Sequence, residues 1–254
     1  MRYKDRVPDA LVKEGHYLGR PADFTDKIIT RRVNLVKEFP GFCGKELDML
    51  DIGCGNGASS FMLAPEMRSC LCVDVESTHQ PEFEWYKNEH HIDNCTFRLH
   101  NIEQQPIGRQ FDRIISFEVI EHLASDKSVS KYYEALKPGG LMAITVPNKW
   151  WIFETHGAKL PLLPWNRVPF FSWLPTPIHE RFAHARIYTT NRIVNLIKGA
   201  GFKIEQVKLV TAPMDVLKEG KLKDFVVNKV FNTETTNNPF KAVSVFVVAK
   251  RPAL

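Results

Sequence analysis

The run "LDIGCGNG", Leu50 to Gly57, decides how this chain is read. An apolar stretch ends in an acid, and glycines follow at alternate positions, so the backbone can bend sharply and come close to a ligand. Gly53, Gly55 and Ala58 also fit the looser dinucleotide pattern of glycine, any, glycine, two of any, then glycine or alanine. The acid separates the two cofactor chemistries. A dinucleotide's pyrophosphate rests on the amides of such a turn and on the following helix N-terminus, where Asp51 would repel it. The same carboxylate attracts a ligand carrying an ammonium and a sulfonium, because opposite charges a few ångströms apart stabilise each other. S-adenosylmethionine is such a ligand, and NAD is disfavoured.

Working outward, "TDKIITRRVNLVKEF" sets Ile28, Ile29, Val33 and Val36 at helical spacing behind Thr25 or Asp26 as caps. "ELDMLDIG" reads as a strand and "GASSFMLAPEM" as the helix after the turn. "SCLCVDV" is a strand ending in an acid, "PEFEWYKNEH" a helix, and "NCTFRLH", "FDRIISF" and "GGLMAITV" are further strands. "SVSKYYEALKPGG" supplies a helix stopped by its glycines. Alternation at this spacing predicts βαβ units and a doubly wound, mostly parallel α/β sheet. In such sheets ligands lie beyond the carboxyl ends of the strands, which puts Asp51, Asp74 and the glycine turn together. Asp74 suits the ribose hydroxyls of either cofactor.

The rhythm breaks after Val146. Residues 147–185 hold six prolines and four of the five tryptophans, with neither helical nor strand period. Regularity returns with the helix "TTNRIVNLIKGAGF" and the strands "KIEQVKLV" and "AVSVFVVAK"; "APMDVLKEGKLKDFVVNKVF" reads as helix and loop. Charge divides at the same place: residues 1–146 hold 18 Lys+Arg against 22 Asp+Glu, and residues 147–254 hold 16 against 7. A basic second part suits an anionic substrate, an acidic lipid surface or nucleic acid, and equally a solvated face carrying "LKEGKLKDF".

The bulk properties fit these elements. At 254 residues, 44% hydrophobic and 25% charged, the chain suits one sizeable globular domain. Five cysteines without metal-ligand spacing read as free thiols of a reducing compartment. The charged start lacks a signal-peptide core, and no run reaches the roughly 18 apolar residues of a membrane span. The expected location is cytoplasmic, or peripheral to a membrane.

Four blocks, "LDIGCGNG", "CVDVE", "FDRIISFEVIEHL" and "LKPGGLMAITVPN", stand in an order that resembles the class I S-adenosylmethionine-dependent methyltransferases, on their small-molecule and quinone O-methyltransferase side. The likeness is strong over residues 45–148 and loose over the final helix and strands. It implies a Rossmann-like sheet of seven strands, the last antiparallel and supplied by "AVSVFVVAK". It further implies Asp51, Gly53 and Gly55 around the methionine part of the donor, Asp74 on the ribose, Asn101 and Ile102 beside the adenine, and Ser116 and Phe117 below the methyl group. The resulting organisation is a single domain: a helical lead-in (1–44), a cofactor-binding core (45–148), a substrate lid (149–188), and the closing helix and strands (189–254).

Methyl transfer to an alcohol or phenol gains from proton removal, for which histidine is matched near neutral pH. His122, in "EVIEHL" just past the fourth strand, is the candidate base, and similar sequences of the O-methyltransferase type carry a comparable Glu-His pair; Glu121 would orient it or cap a helix. Trp150, Trp151, His156, His179, Arg186 and Tyr188 are candidate acceptor contacts. One of Arg181 and Arg186 would hold a substrate anion, the other pair Glu180. His156, His179 and His184, with Glu154 and Glu180, lack the spacing of a metal site, so none is expected. Aromatics beside Lys149, Lys159 and Arg167 resemble a membrane-interface insertion and favour a lipid-linked acceptor; a lid over a water-soluble molecule fits the same composition. Two other functions stay open. Base-modifying amino methyltransferases carry an Asn-Pro-Pro-Tyr type motif where this chain has "SFEV", which argues against nucleic acid, and a non-catalytic module that binds the donor would keep the same fold.

Overall fold

In a computed structural model, residues 24–158, 169–214 and 217–253 are described, with the backbone of the two short paired strands at residues 12–13 and 16–17. Seven strands form the main sheet: β1 (Gly44–Ile52), β2 (Met67–Asp74), β3 (Cys95–Leu99), β4 (Phe111–Phe117), β5 (Leu136–Pro147), β6 (Lys203–Thr211) and β7 (Ala242–Lys250). Their order across the sheet is β3-β2-β1-β4-β5-β7-β6. The first five are parallel, and β7 runs antiparallel to both β5 and β6. The strand order reverses between β1 and β4, where Asp51 pairs in register with Ile115.

Helices cover both faces, as buried parallel strands require. α1 (Lys27–Glu38), α2 (Ala58–Leu63) and α3 (Gln80–Glu89) pack Ile29, Val33, Val36, Phe61 and Phe83 against Met49, Cys70 and Phe246. On the other face, α4 (Val129–Ala135) and α6 (Thr190–Gly199) bring Val129, Tyr132, Ile193 and Ile197 onto Leu50, Ile114 and Ile144. Each such side chain withdrawn from water contributes about 1.5–3 kcal/mol. α6 begins as its sequence predicts, with the Thr189 hydroxyl accepting from the Arg192 amide at 3.2 Å.

Two elements differ from the expectation. α4 stops at Ala135, ahead of the glycine pair, because Leu136 already pairs with Phe111 and Lys137 to Gly140 run as the start of β5. The Pro-rich segment holds a further helix, α5 (Thr176–Phe182), with a proline in its first turn. The last helix, α7 (Lys221–Phe225), continues into a wide turn of π-helix at Val226–Val230. No helix among the described residues is long and apolar enough to cross a membrane.

Candidate functional site

The glycine crook joins β1 to α2. Gly53 has φ +75°, and a Cβ there would lie 2.3 Å from Val119 Cγ2; Gly57 has φ +87°, and a Cβ would meet the Phe83 ring at 2.5 Å. Only glycine satisfies the conformation and the space together. The crook's amides are already engaged: Gly53 and Cys54 donate to Val73 O (2.8 and 3.1 Å), Gly57 to Cys54 O (2.9 Å), and Gly55 to Asp74 Oδ2 (2.8 Å). Four of the crook's amides are therefore spent inside the protein. Asp74 also receives the Glu76 amide on Oδ1 at 2.9 Å. Its backbone carbonyl accepts from His100, which sets Asn101 and the buried Ile102 beside it.

Asp51 is buried, and its Oδ2 accepts from the Ser60 hydroxyl at 2.8 Å. Burial pushes its carboxyl up to about 7, and the nearby Asp74 charge adds to this, while the Ser60 bond opposes it. A cation bound against Asp51 would reverse that shift, so the residues fit a sulfonium and ammonium donor. Phe117 is half-buried at the tip of β4. Ser116 stands one residue back and is fully buried; its hydroxyl donates to Ile52 O at 2.9 Å and lies 3.1 Å from Tyr132 Oη. The Ser116 hydroxyl thus serves the β1–β4 junction.

Beyond β4 the chain turns at Glu118, whose φ of +57° is strained for a non-glycine residue, and a short 3-10 turn, Ile120–His122, follows. Glu118 Oε1 pairs with Arg32 of α1 at 2.9 Å. Glu121 is buried, and neither of its carboxyl oxygens has a hydrogen-bond partner among the described residues. Burial, then the Glu118 charge, push its carboxyl well above the usual carboxylate range. His156 Nε2 lies 3.5 Å from Glu121 Oε1, and the His156 ring meets the His122 ring edge-on at 5.1 Å. Burial holds His156 below its ordinary value, so the contact joins two groups that both lean toward neutrality. Glu121, His122 and His156 place one ligand atom each within 4.8 Å of one another, a set that could hold a divalent cation. From sequence spacing no metal is expected, and the histidines weighed there, His156, His179 and His184, share only His156 with this set.

The segment 149–188 leaves β5 and returns beside it: Lys149 donates to Tyr188 O and Tyr188 to Pro147 O. Within it, His179 of α5 is buried, with Nε2 2.6 Å from Glu154 Oε2. Several expectations are corrected here. Arg186 binds the carbonyls of Leu123 (2.6 Å) and Ala124 (2.9 Å), so its fork is occupied by backbone. Glu180 pairs with Arg192, while Arg181 lies over the Phe182 ring. Lys149 is buried, with Nζ on the carbonyls of Ser172 and Leu174, which removes it from any headgroup contact. Trp151 is buried against Phe153 and Phe231. Tyr188 is buried with its hydroxyl unpartnered among the described residues, and burial raises that hydroxyl. Trp150 is exposed, in a ring cluster with Trp173, Phe170 and Phe240. Lys159 and Arg167 lie outside the described residues.

Comparison with known proteins agrees with this architecture. A family model for a methyltransferase domain matches residues 24–207. A ubiquinone biosynthesis O-methyltransferase of Bradyrhizobium sp. strain ORS 278 is 28% identical over 142 residues, 54% of this chain and 52% of that protein. One of Cereibacter sphaeroides is 26% identical over 192 residues, 72% of each. The chain spans about half the length of the first of these curated relatives. The crystal structure of an S-adenosylmethionine-dependent methyltransferase from Mesorhizobium loti superposes with a TM-score of 0.60 at 13% identity, covering 87% of this chain and 98% of that one. With the seven-stranded order, the crook and the family match in agreement, this chain belongs to the class I S-adenosylmethionine-dependent methyltransferases.

Proposed function

We propose that this chain transfers a methyl group from S-adenosylmethionine to an oxygen of a small hydroxylated or lipid-linked acceptor. The observation that carries the reading is the cluster at the tip of β4: His122 and His156 in edge contact over a buried Glu121 whose oxygens have no hydrogen-bond partner among the described residues. A buried polar group of this kind calls for a partner such as a water, an ion or a polar ligand, or for a catalytic role. The relatives named as ubiquinone biosynthesis O-methyltransferases support the same acceptor class.

In this reading Asp51, Gly53 and Gly55 take the methionine part of the donor, Asp74 its ribose, Asn101 and Ile102 its adenine, and Phe117 the floor below the methyl. When bound, the donor supplies a methyl carbon activated by its sulfonium. The residues of this chain align the acceptor oxygen with that carbon, which is where most of the acceleration arises. As the oxygen–carbon bond forms and the carbon–sulfur bond breaks, the acceptor's proton passes to an imidazole nitrogen, with His122 as base and His156 beside it. Burial raises the Glu121 carboxyl, which disfavours a negative charge next to the forming bond.

A membrane-facing reading rests on a separate observation. Trp150, Phe170, Trp173 and Phe240 are exposed, with successive rings 4.9 to 6.2 Å apart, on the part of the chain that carries excess Lys and Arg. Such a patch suits an acidic lipid surface and hence a lipid-linked acceptor. The deciding experiment incubates the protein with deuterium-methyl-labelled donor and cell extract, then with catechol, and follows label by mass spectrometry. Labelled oxygen methyl ethers are expected. Label found in RNA alone, or donor binding in a calorimeter with no labelled product from any extract, would replace the proposal.

A further inference from the structure

Glu154 is an acid with no assigned part in binding the donor or the acceptor, yet it is almost wholly withdrawn from water. Both of its oxygens are used. Oε2 lies 2.6 Å from His179 Nε2, and in a hydrogen bond to a carboxylate that nitrogen is the donor. Oε1 accepts the backbone N–H of His156 at 2.9 Å. The three residues come from both halves of the insertion: Glu154 and His156 from its outgoing stretch, His179 from α5 on its return. Neighbouring backbone bonds close the same unit, with His184 donating to Gly157 O at 3.1 Å and Ala158 bridging Ala183.

We propose that Glu154 is a positioning residue, which ties α5 to the His156 backbone and so sets the His156 ring against Glu121 and His122 at the reacting edge. This rests on the preceding reading of that edge as the place of methyl transfer. Three observations carry it. His156 sits two residues from the acid that holds it, so a shift of the carboxylate moves the ring directly. The ring has a polar neighbour at each nitrogen, with Nδ1 3.1 Å from Thr155 Oγ1 and Nε2 3.5 Å from Glu121 Oε1. Moreover, a buried acid–histidine pair is a costly way to hold two segments together, because apolar side chains of similar volume do so as well or better. What the pair adds is direction, since a carboxylate with two fixed donors has one orientation. Arg32, Glu118 and Arg186 also face this cluster, and they act on Glu121 and His156 from α1, the β4 turn and the end of the insertion.

The test uses the full chain, labelled with nitrogen-15 in its histidines, as wild type, Glu154→Gln, His179→Leu and His179→Gln. Glutamine at 179 still offers an N–H to Glu154; leucine does not. Long-range proton–nitrogen spectra report the tautomer and surroundings of His156, calorimetry reports S-adenosylmethionine affinity, and methyl transfer to catechol reports kcat and KM. Glu154→Gln and His179→Leu should move the His156 resonances and lower kcat at least tenfold. KM for the donor and its dissociation constant should stay within twofold, and His179→Gln should remain close to wild type. Unmoved His156 resonances in Glu154→Gln overturn the proposal. So does loss of donor binding together with a lowered melting temperature in all three variants, which would make the pair a fold element only. If wild type methylates no phenol, the acceptor reading fails, and the spectra with calorimetry still decide the role of Glu154.

Discussion

At the tips of β1 and β2 the polar groups come from one short run plus a single acid, whereas at the tips of β4 and β5 they come from segments scattered over the chain. Asp51, the crook and Ser60 lie within ten residues, and Asp74 closes the group through the Gly55 amide. Arg32, Glu118, Glu121, His122, Glu154, His156 and His179 meet only because the sheet, α1 and the insertion fold together. Both regions bury an acid pushed upward by desolvation. Asp51 has a hydroxyl to hold, while Glu121 has no hydrogen-bond partner among the described residues. In the proposed reading the first region takes the donor and the second the acceptor, so the two should separate under mutation.

The sharpest separation is expected at His122. Replacing it with alanine should lower kcat toward catechol by about 10²- to 10⁴-fold, the usual worth of a general base, and leave S-adenosylmethionine affinity within about twofold, because the ring lies at the β4 tip and the crook is built without it. Steady-state kinetics and calorimetry on one preparation measure both numbers. Equal losses in the two would merge the regions and remove the base assignment.

Asp51→Asn tests the other side. The amide keeps the Ser60 bond and loses the charge, so donor binding should weaken by roughly 30- to 100-fold, about 2–3 kcal/mol for one partly screened charge pair. Catalysis at saturating donor should change far less. A loss under threefold would show that the crook's shape, rather than its charge, selects the ligand.

A smaller effect follows from the Asp51 carboxyl lying near 7 in the ligand-free protein. A carboxyl raised above its unfolded value contributes stability that is complete at low pH and is lost as pH climbs through the folded value. A cationic donor prefers the ionised form, so its affinity should rise roughly tenfold between pH 6 and pH 8, then level off. The melting-temperature gain on adding donor should likewise be larger at pH 8 than at pH 6. Asp51→Asn should flatten both trends.

How much of each region could be read from the chain alone follows from the same contrast. The crook was legible because its requirements are local: positive φ at Gly53, a carboxylate two residues earlier, a strand before and a helix after. The strands were legible because buried parallel strands are continuous apolar runs. His122 could be placed at the edge from its position after β4. Nothing local distinguishes Glu154 from a surface acid, since its partner His179 lies 25 residues on, in a helix that the prolines disguised. Two basic residues misled for the same reason. Arg186 and Lys149 look like anion binders in one dimension, yet folding spends their donors on the carbonyls of Leu123, Ala124, Ser172 and Leu174.

The least effect is expected on the exposed ring cluster. Trp173 and Phe240 approach at 5.4 Å, and Phe170 stacks edge-on against Trp173 at 4.9 Å. Burial of Lys149 takes one cation away from this patch, so lipid contact would depend on the rings themselves and on the general basic excess of residues 147–254. An aromatic ring at the headgroup boundary gains by apolar burial, and each lysine or arginine near an acidic surface adds about 1 kcal/mol. Trp173→Ser with Phe240→Ser should therefore cut flotation with phosphatidylserine vesicles by several-fold, more at high salt, where only the rings remain effective. Methyl transfer to soluble catechol should be unchanged, because neither ring reaches the His122 edge in the contacts above. If transfer to catechol falls while flotation persists, the rings belong to the acceptor region, and the division between a donor side and an acceptor side extends over the whole insertion.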